Sequence, residues 1–106
     1  MRSVSIHDLK AALDEAREAG SPVDVIDVRE PDEYAGGRVP GARLLPLATV
    51  AQQVGHLPTD RPVYVVCQVG GRSAQAARFL ASHGVDALNV DGGTGDWVAA
   101  GYPVER

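Results

Sequence analysis

The stretch Val63–Leu80, VYVVCQVGGRSAQAARFL, contains a predicted strand, a turn and a helix in immediate succession. Residues Val63–Val66 form a short run rich in β-branched side chains, which favours a buried strand. Apolar residues then recur at helical spacing from Ser73 to the end of the stretch, and Gly84 is a typical residue to close that helix. The segment between strand and helix, Cys67–Arg72, is therefore predicted to be a short glycine-containing loop.

Further strands and helices are predicted on both sides of this unit. A capping box at Ser5 and Asp8 marks the start of the first helix. The expected helices lie at 6–19, near 32, at 48–54 and at 96–100, and the expected strands at 23–28, 42–45 and 87–90. Strands that alternate with helices pair in parallel and carry helices on both faces. The chain is therefore predicted to be a three-layer α/β domain, and its length fits a single domain over 1–106.

The predicted strands direct three polar side chains to one edge of the sheet. Asp27, Cys67 and Asp91 each lie at the carboxyl end of a strand. Ligands of open parallel sheets bind at that edge. We therefore expect the functional site there.

Composition excludes several classes of protein. The formal net charge of -4 argues against nucleic acid or an anionic membrane as the general partner. The single cysteine permits no internal disulfide, and the three histidines have no metal-ligand spacing. No apolar run is long enough to cross a bilayer, and charged residues interrupt the N-terminal segment where a secretion signal would need an apolar core. A cytoplasmic location is expected.

The cysteine loop has the features of a site that favours a thiolate. Gly70 and Gly71 can adopt backbone angles closed to other residues, so the loop can turn its N–H groups inward. The same field, with the N-terminus of the following helix, lowers the pKa of a thiol. The alternative is that Cys67 is a small buried hydrophobic side chain, as free cysteines commonly are, beside an ordinary glycine-rich turn.

A series of short motifs extends over nearly the whole chain. The motifs are DVRE and EY within 27–34, GGRVPGA at 36–42, VVCQVGGRS at 65–73, DGG at 91–93 followed by Trp97, and YPV at 102–104. Each is weak alone, but in this order and spacing they resemble the rhodanese domain, the fold of thiosulfate and related sulfurtransferases. The resemblance implies a central, mostly parallel five-stranded sheet with helices on both faces.

The resemblance also implies a chemistry and a set of site residues. Cys67 is expected to attack the outer sulfur of thiosulfate or a similar donor and to carry it as a persulfide, which a thiol or cyanide then accepts. No cofactor or metal is implied. The persulfide-binding residues are expected to be Gln68, Val69, Gly70, Gly71 and Arg72, through their backbone N–H groups.

Several polar side chains in these motifs affect which sulfur donor is expected and which residues should line the pocket. Gln68 stands where the family often has arginine, which favours modest thiosulfate activity and a different natural donor. Arg38 replaces a frequent histidine and could restore positive charge if it points into the pocket. Asp27 is expected near the pocket, whereas Arg29 is expected to brace the scaffold through an acidic partner, Glu33.

The alternative functions are distinguished by the length of the cysteine loop or by the sulfur donor. The loop Cys67-x4-Arg72 is one residue shorter than the Cys-x5-Arg loop of related phosphatases, so phosphatase or arsenate reductase activity is ranked below sulfur transfer. Arg72 could face the bound sulfur, help to orient an anionic donor, or simply pair with a surface carboxylate. A relay module that passes persulfide between proteins would also use Cys67. A catalytically dead regulatory domain is disfavoured by the intact cysteine loop.

Overall fold

A computed structural model describes residues 1–106 and contains a five-stranded sheet in which all neighbouring strands are parallel. The strands are β1 (Arg2–Val4), β2 (Asp24–Asp27), β3 (Arg43–Leu44), β4 (Val63–Val66) and β5 (Ala87–Val90). Their spatial order is β1-β5-β4-β2-β3, which places β4 in the centre. The strand that precedes Cys67 is thus paired on both sides, and the loop that follows it has a rigid base.

Five α-helices surround the sheet. They are α1 (Ile6–Ala19), α2 (Pro31–Ala35), α3 (Val50–Gln53), α4 (Gly71–Ser82) and α5 (Gly93–Ala99). The predicted capping box of α1 is present: the Asp8 N–H donates to the Ser5 hydroxyl, and the Ser5 N–H donates to the Asp8 carboxylate. No helix is both long and apolar enough to cross a membrane.

Two apolar cores lie on opposite faces of the sheet. Val63 and Val65 of β4 point into one core, which also holds Leu80 of α4, whereas Val66 points into the other core with Trp97 of α5. This separation follows from the alternation of side chains along a strand. The structure confirms the predicted α/β architecture with helices on both faces, and Trp97 is a core residue as expected.

Some element boundaries differ from those predicted. The sequence pattern did not locate β1, because Arg2 and Ser3 are exposed and leave no apolar alternation to detect. The first turn of α4 begins at Gly71 and that of α5 at Gly93, in both cases before the predicted start. Glycine has low intrinsic helix propensity, so these two first turns were assigned to loop.

The start of α5 packs directly against the cysteine loop. The Thr94 N–H donates to the Cys67 carbonyl at 2.8 Å, and the Gly95 N–H donates to the Gln68 carbonyl at 2.9 Å. A Cβ atom on Gly93 would lie 2.4 Å from the Cys67 carbonyl oxygen, and its φ of +57° is left-handed. Close approach of backbone therefore requires glycine here, as expected for the DGG turn.

We predict that Gly93→Ala destabilises the fold more than Gly84→Ala, a matched control. Gly84 also has positive φ, at +88°, but a Cβ there meets nothing within 4 Å. Both variants lose about 1 kcal/mol from backbone strain, and Gly93→Ala loses about 1–3 kcal/mol more from the clash. Urea unfolding measures both losses. Equal losses would show that the contact between α5 and the loop is not sterically tight.

Candidate functional site

Cys67 lies at the carboxyl end of β4, beneath the loop that leads into α4. Its side chain is 1% exposed. The Gly70 N–H donates to Sγ at 3.1 Å, and the Ser73 hydroxyl lies 3.3 Å from Sγ. Gly70 has a φ of +114°, which strongly favours glycine and lets the chain curl back over the sulfur.

The contact with α5 explains why loop N–H groups face the sulfur. In a trans peptide the C=O and the following N–H point in opposite directions. Because the carbonyls of Cys67 and Gln68 point toward α5, the N–H groups of Gln68 and Val69 point away from it. The close packing of α5 thus orients the first peptides of the loop.

The loop lowers the pKa of the Cys67 thiol. Burial raises this pKa, but hydrogen bonds from the Ser73 hydroxyl and from the backbone N–H groups of Ser73, Gly70 and Val69 more than offset the effect. Hydrogen bonds to the charged form stabilise it. Cys67 therefore has more thiolate character than an ordinary cysteine, and thiolate is the nucleophilic form.

A buried ion pair supports the loop from the neighbouring strand. Arg29 donates from Nε to both carboxylate oxygens of Asp27 at 3.0 and 3.1 Å, and from Nη2 to Oδ2 at 2.9 Å. Its Nη2 also donates to the Gly37 carbonyl at 2.8 Å, and its Nη1 to Gln68 Oε1 at 3.1 Å. Arg29 thus joins the end of β2 to the cysteine loop. The prediction that Glu33 would be its partner was wrong.

Glu33 pairs instead with Arg72, the last residue of the loop motif. The two guanidinium nitrogens Nη1 and Nη2 donate to the two carboxylate oxygens at 2.7 and 2.8 Å. Hydrogen bonding by Arg72 and by the Glu30 N–H lowers the pKa of Glu33 to about 2. The Glu33 carboxylate raises the pKa of Arg72, and a Cys67 thiolate adds to that effect. Of the three roles considered for Arg72, the structure shows the pairing with a carboxylate.

Arg38 is directed to other partners. Its guanidinium lies over the Tyr34 ring, 4.4 Å from the centroid, and its Nε is 3.5 Å from Glu105 Oε1. Its Nη1 also donates to the Tyr34 carbonyl. None of these contacts involves the cysteine loop, so Arg38 does not replace the charge that Gln68 lacks.

A cleft of about 360 Å³ lies beside the loop. Its lining residues are Arg29, Asp32, Glu33, Gly36, Gly37, Gln68, Thr94, Val98, Val104 and Arg106. Val69 at the tip of the loop is 75% exposed, and Val98 on the cleft is 50% exposed. Of the predicted residues, Gln68 lines this cleft, and residues 69–72 continue the loop that covers Cys67. Asp27 is connected to the cleft through Arg29, and Arg38 lies outside the cleft lining.

Sequence reasoning missed the contribution of Ser73. It was treated as the start of a helix, yet its hydroxyl is buried against Cys67. The available signal was a hydroxyl residue in the first turn after the loop, where a side chain can reach back to the sulfur. No group of three or more His, Cys, Asp or Glu side chains could hold a metal ion.

The fold and the loop define an α/β domain with a thiolate-stabilising loop at the centre of its sheet. The family model for the rhodanese-like domain matches residues 5–100, and the chain belongs to the rhodanese family.

Relatives and solved structures agree with this assignment. The thiosulfate sulfurtransferase GlpE of Pseudomonas putida is 40% identical over 82 residues, which cover 76% of this chain and 74% of GlpE. YrkF of Bacillus subtilis, named as a sulfur carrier protein, is 31% identical over 95 residues, covering 89% of this chain and 49% of YrkF. The crystal structure of a rhodanese-like domain protein from Staphylococcus aureus, 36% identical, superposes with a TM-score of 0.83 and covers 92% of this chain and 91% of that one.

We predict that Ser73→Ala raises the pKa of Cys67. The variant removes the hydroxyl that stabilises the thiolate, so less thiolate is present at a given pH. The rate of alkylation by iodoacetamide, followed against pH, should have its inflection at a higher pH than in the wild type. Ser82→Ala is the control, because that hydroxyl contacts Phe79 and His83 at the far end of α4. An unchanged inflection in Ser73→Ala would contradict the role given to this hydroxyl.

Proposed function

We propose that this protein is a sulfurtransferase that carries sulfane sulfur as a persulfide on Cys67. The donor is thiosulfate or a related compound, and the acceptor is a thiol or cyanide. The observation that carries the proposal is the Cys67 sulfur held 3.1 Å from the Gly70 N–H in a loop that lowers its pKa. The similarity to a protein named as a thiosulfate sulfurtransferase supports the same chemistry.

In the first step the Cys67 thiolate attacks the outer sulfur of the donor. With thiosulfate, a new S–S bond forms to Cys67, the bond between the two donor sulfurs breaks, and sulfite leaves with that electron pair. In the second step a nucleophilic acceptor attacks the outer sulfur of the persulfide and restores the thiolate. Covalent catalysis of this kind gives ping-pong kinetics.

The loop provides the stabilisation that both steps need. An added sulfur moves the reactive atom about 2 Å outward from the buried Sγ. In the proposal the N–H groups of Gln68 to Arg72 then hold the negative outer sulfur, aided by the N-terminus of α4. These donors are fixed before the reaction begins, so little reorganisation is required.

A sulfur relay is the second candidate. YrkF, a relative that covers 89% of this chain, is named as a sulfur carrier protein. A relay in this chain would use the same cysteine and loop. In a relay the donor and acceptor are proteins, and thiosulfate turnover is negligible. Either function suits the cytoplasm, where a reducing environment keeps a single thiol available.

Intact-mass spectrometry after incubation with thiosulfate tests the proposal. The wild type should gain one sulfur atom, and subsequent cyanide should remove it. Cys67→Ser is the control and should gain nothing, because Cys67 is the only cysteine. If thiosulfate adds no sulfur but a persulfidated protein donor does, the relay is supported. A wild type that accepts sulfur from neither donor would contradict both functions.

A further inference from the structure

The two arginines beside the cysteine loop are each matched by a carboxylate. Arg29 is engaged by Asp27 at 2.9 Å, and both residues are almost fully buried. Arg72 is engaged by Glu33 through two hydrogen bonds. Neither guanidinium therefore presents unneutralised positive charge to an incoming donor.

The positive and negative side chains that line the adjoining cleft are also equal in number. Besides Arg29 and Glu33, its lining adds one cation, Arg106, and one anion, Asp32. Arg106 donates to the carbonyl of Gly36. The site is thus close to neutral before Cys67 ionises and negative afterwards, on a chain whose formal net charge is already -4.

Gln68 leaves this balance unchanged. Its Oε1 accepts a hydrogen bond from Arg29 Nη1, so the side chain is held against the buried ion pair and contributes no charge. The remaining donors are the Ser73 hydroxyl and backbone N–H dipoles, such as that of Gly70, and they are aimed at a single sulfur. Such dipoles stabilise one negative sulfur, but they do not neutralise the further charges of a sulfonate group.

We propose that this charge balance selects a hydropersulfide, R–S–SH or its monoanion, over the thiosulfate dianion as the sulfur donor, and that Glu33 sets the preference by masking Arg72. The proposal rests on the proposed function, since it requires a persulfide on Cys67. Glu33 acts here through Arg72. It determines the specificity for the sulfur donor without touching the reacting atoms.

The hydropersulfide step is balanced without another reactant. The Cys67 thiolate attacks the terminal sulfur of R–S–SH, the donor S–S bond breaks, and R–S⁻ leaves with the electron pair. The proton stays on the transferred sulfur, giving Cys67–S–SH. The monoanion R–S–S⁻ reacts in the same way and gives Cys67–S–S⁻ and R–S⁻. The reacting pair carries one negative charge in total with the neutral donor and two with the monoanion, compared with three for thiolate and thiosulfate, so its approach meets less repulsion in this site.

The test compares single-turnover rates of persulfide formation, followed by rapid quenching and intact mass. The donors are thiosulfate and 2-hydroxyethyl hydropersulfide, at equal concentrations and low ionic strength. The first variant is Glu33→Gln, which keeps the shape of the side chain but removes the negative charge that neutralises Arg72. The second variant is Asp14→Asn. Asp14 pairs with Lys10 and Arg17 on α1 and lies outside the cleft, so its variant controls for net charge alone.

In the wild type the hydropersulfide should react at least about tenfold faster than thiosulfate. Glu33→Gln should raise the ratio of the thiosulfate rate to the hydropersulfide rate by about three- to tenfold. The gain should shrink as salt is added, because screening weakens the freed charge of Arg72. Asp14→Asn should leave the ratio as it is. A merely structural role for Glu33 would change both rates together and would not depend on salt in this way.

Two results would overturn the inference while leaving the proposed function intact. One is a wild type that takes sulfur from thiosulfate as fast as from the hydropersulfide. The other is a Glu33→Gln variant, folded by circular dichroism, whose rate ratio equals that of the wild type. Absence of persulfide on Cys67 with both donors would instead refute the proposed function itself.

Discussion

The buried ion pair between Asp27 and Arg29 connects the sheet to the segments around the reactive sulfur. Burying two charges costs several kcal/mol per ion unless both are paired and hydrogen-bonded. Here the carboxylate receives three guanidinium contacts, and Arg29 uses its other donor positions for Gly37 and Gln68. The pair therefore fixes the end of β2, the turn after α2 and Gln68 of the cysteine loop relative to one another.

With the loop held in this way, backbone dipoles rather than free cations stabilise the sulfur. The carbonyls of Cys67 and Gln68 accept hydrogen bonds from α5, and the N–H groups of Val69, Gly70 and Ser73 donate to the thiol. Nearby full charges cancel in pairs, as in Arg72 with Glu33. A site of this kind favours ionisation of one buried thiol, but it does not attract every anion. The groups that activate the nucleophile are therefore separate from the charges that select the donor.

The sequence predicted the architecture and the placement of Cys67 because both depend on local patterns. Alternating β-branched runs, helical periodicity and the glycines after Cys67 are readable from neighbouring residues. The partners of Arg72 and Arg38 were not readable, since each of these ion pairs depends on how distant segments meet in space. The partner of Arg29 is only two residues away, but the local pattern offered Glu33 as well as Asp27 and did not rank them. The edge strand β1 was missed for a related reason: its pairing with β5 comes from the far end of the chain.

Amide NMR of the persulfidated protein shows whether the N–H groups of the cysteine loop hold the negative sulfur. On addition of one sulfur to Cys67, confirmed by mass, the N–H resonances of Val69, Gly70 and the neighbouring loop residues should move downfield, as charge-assisted hydrogen bonds form. Resonances of β1 and α1 should stay in place. A persulfide that forms while the loop resonances remain unchanged would contradict the account.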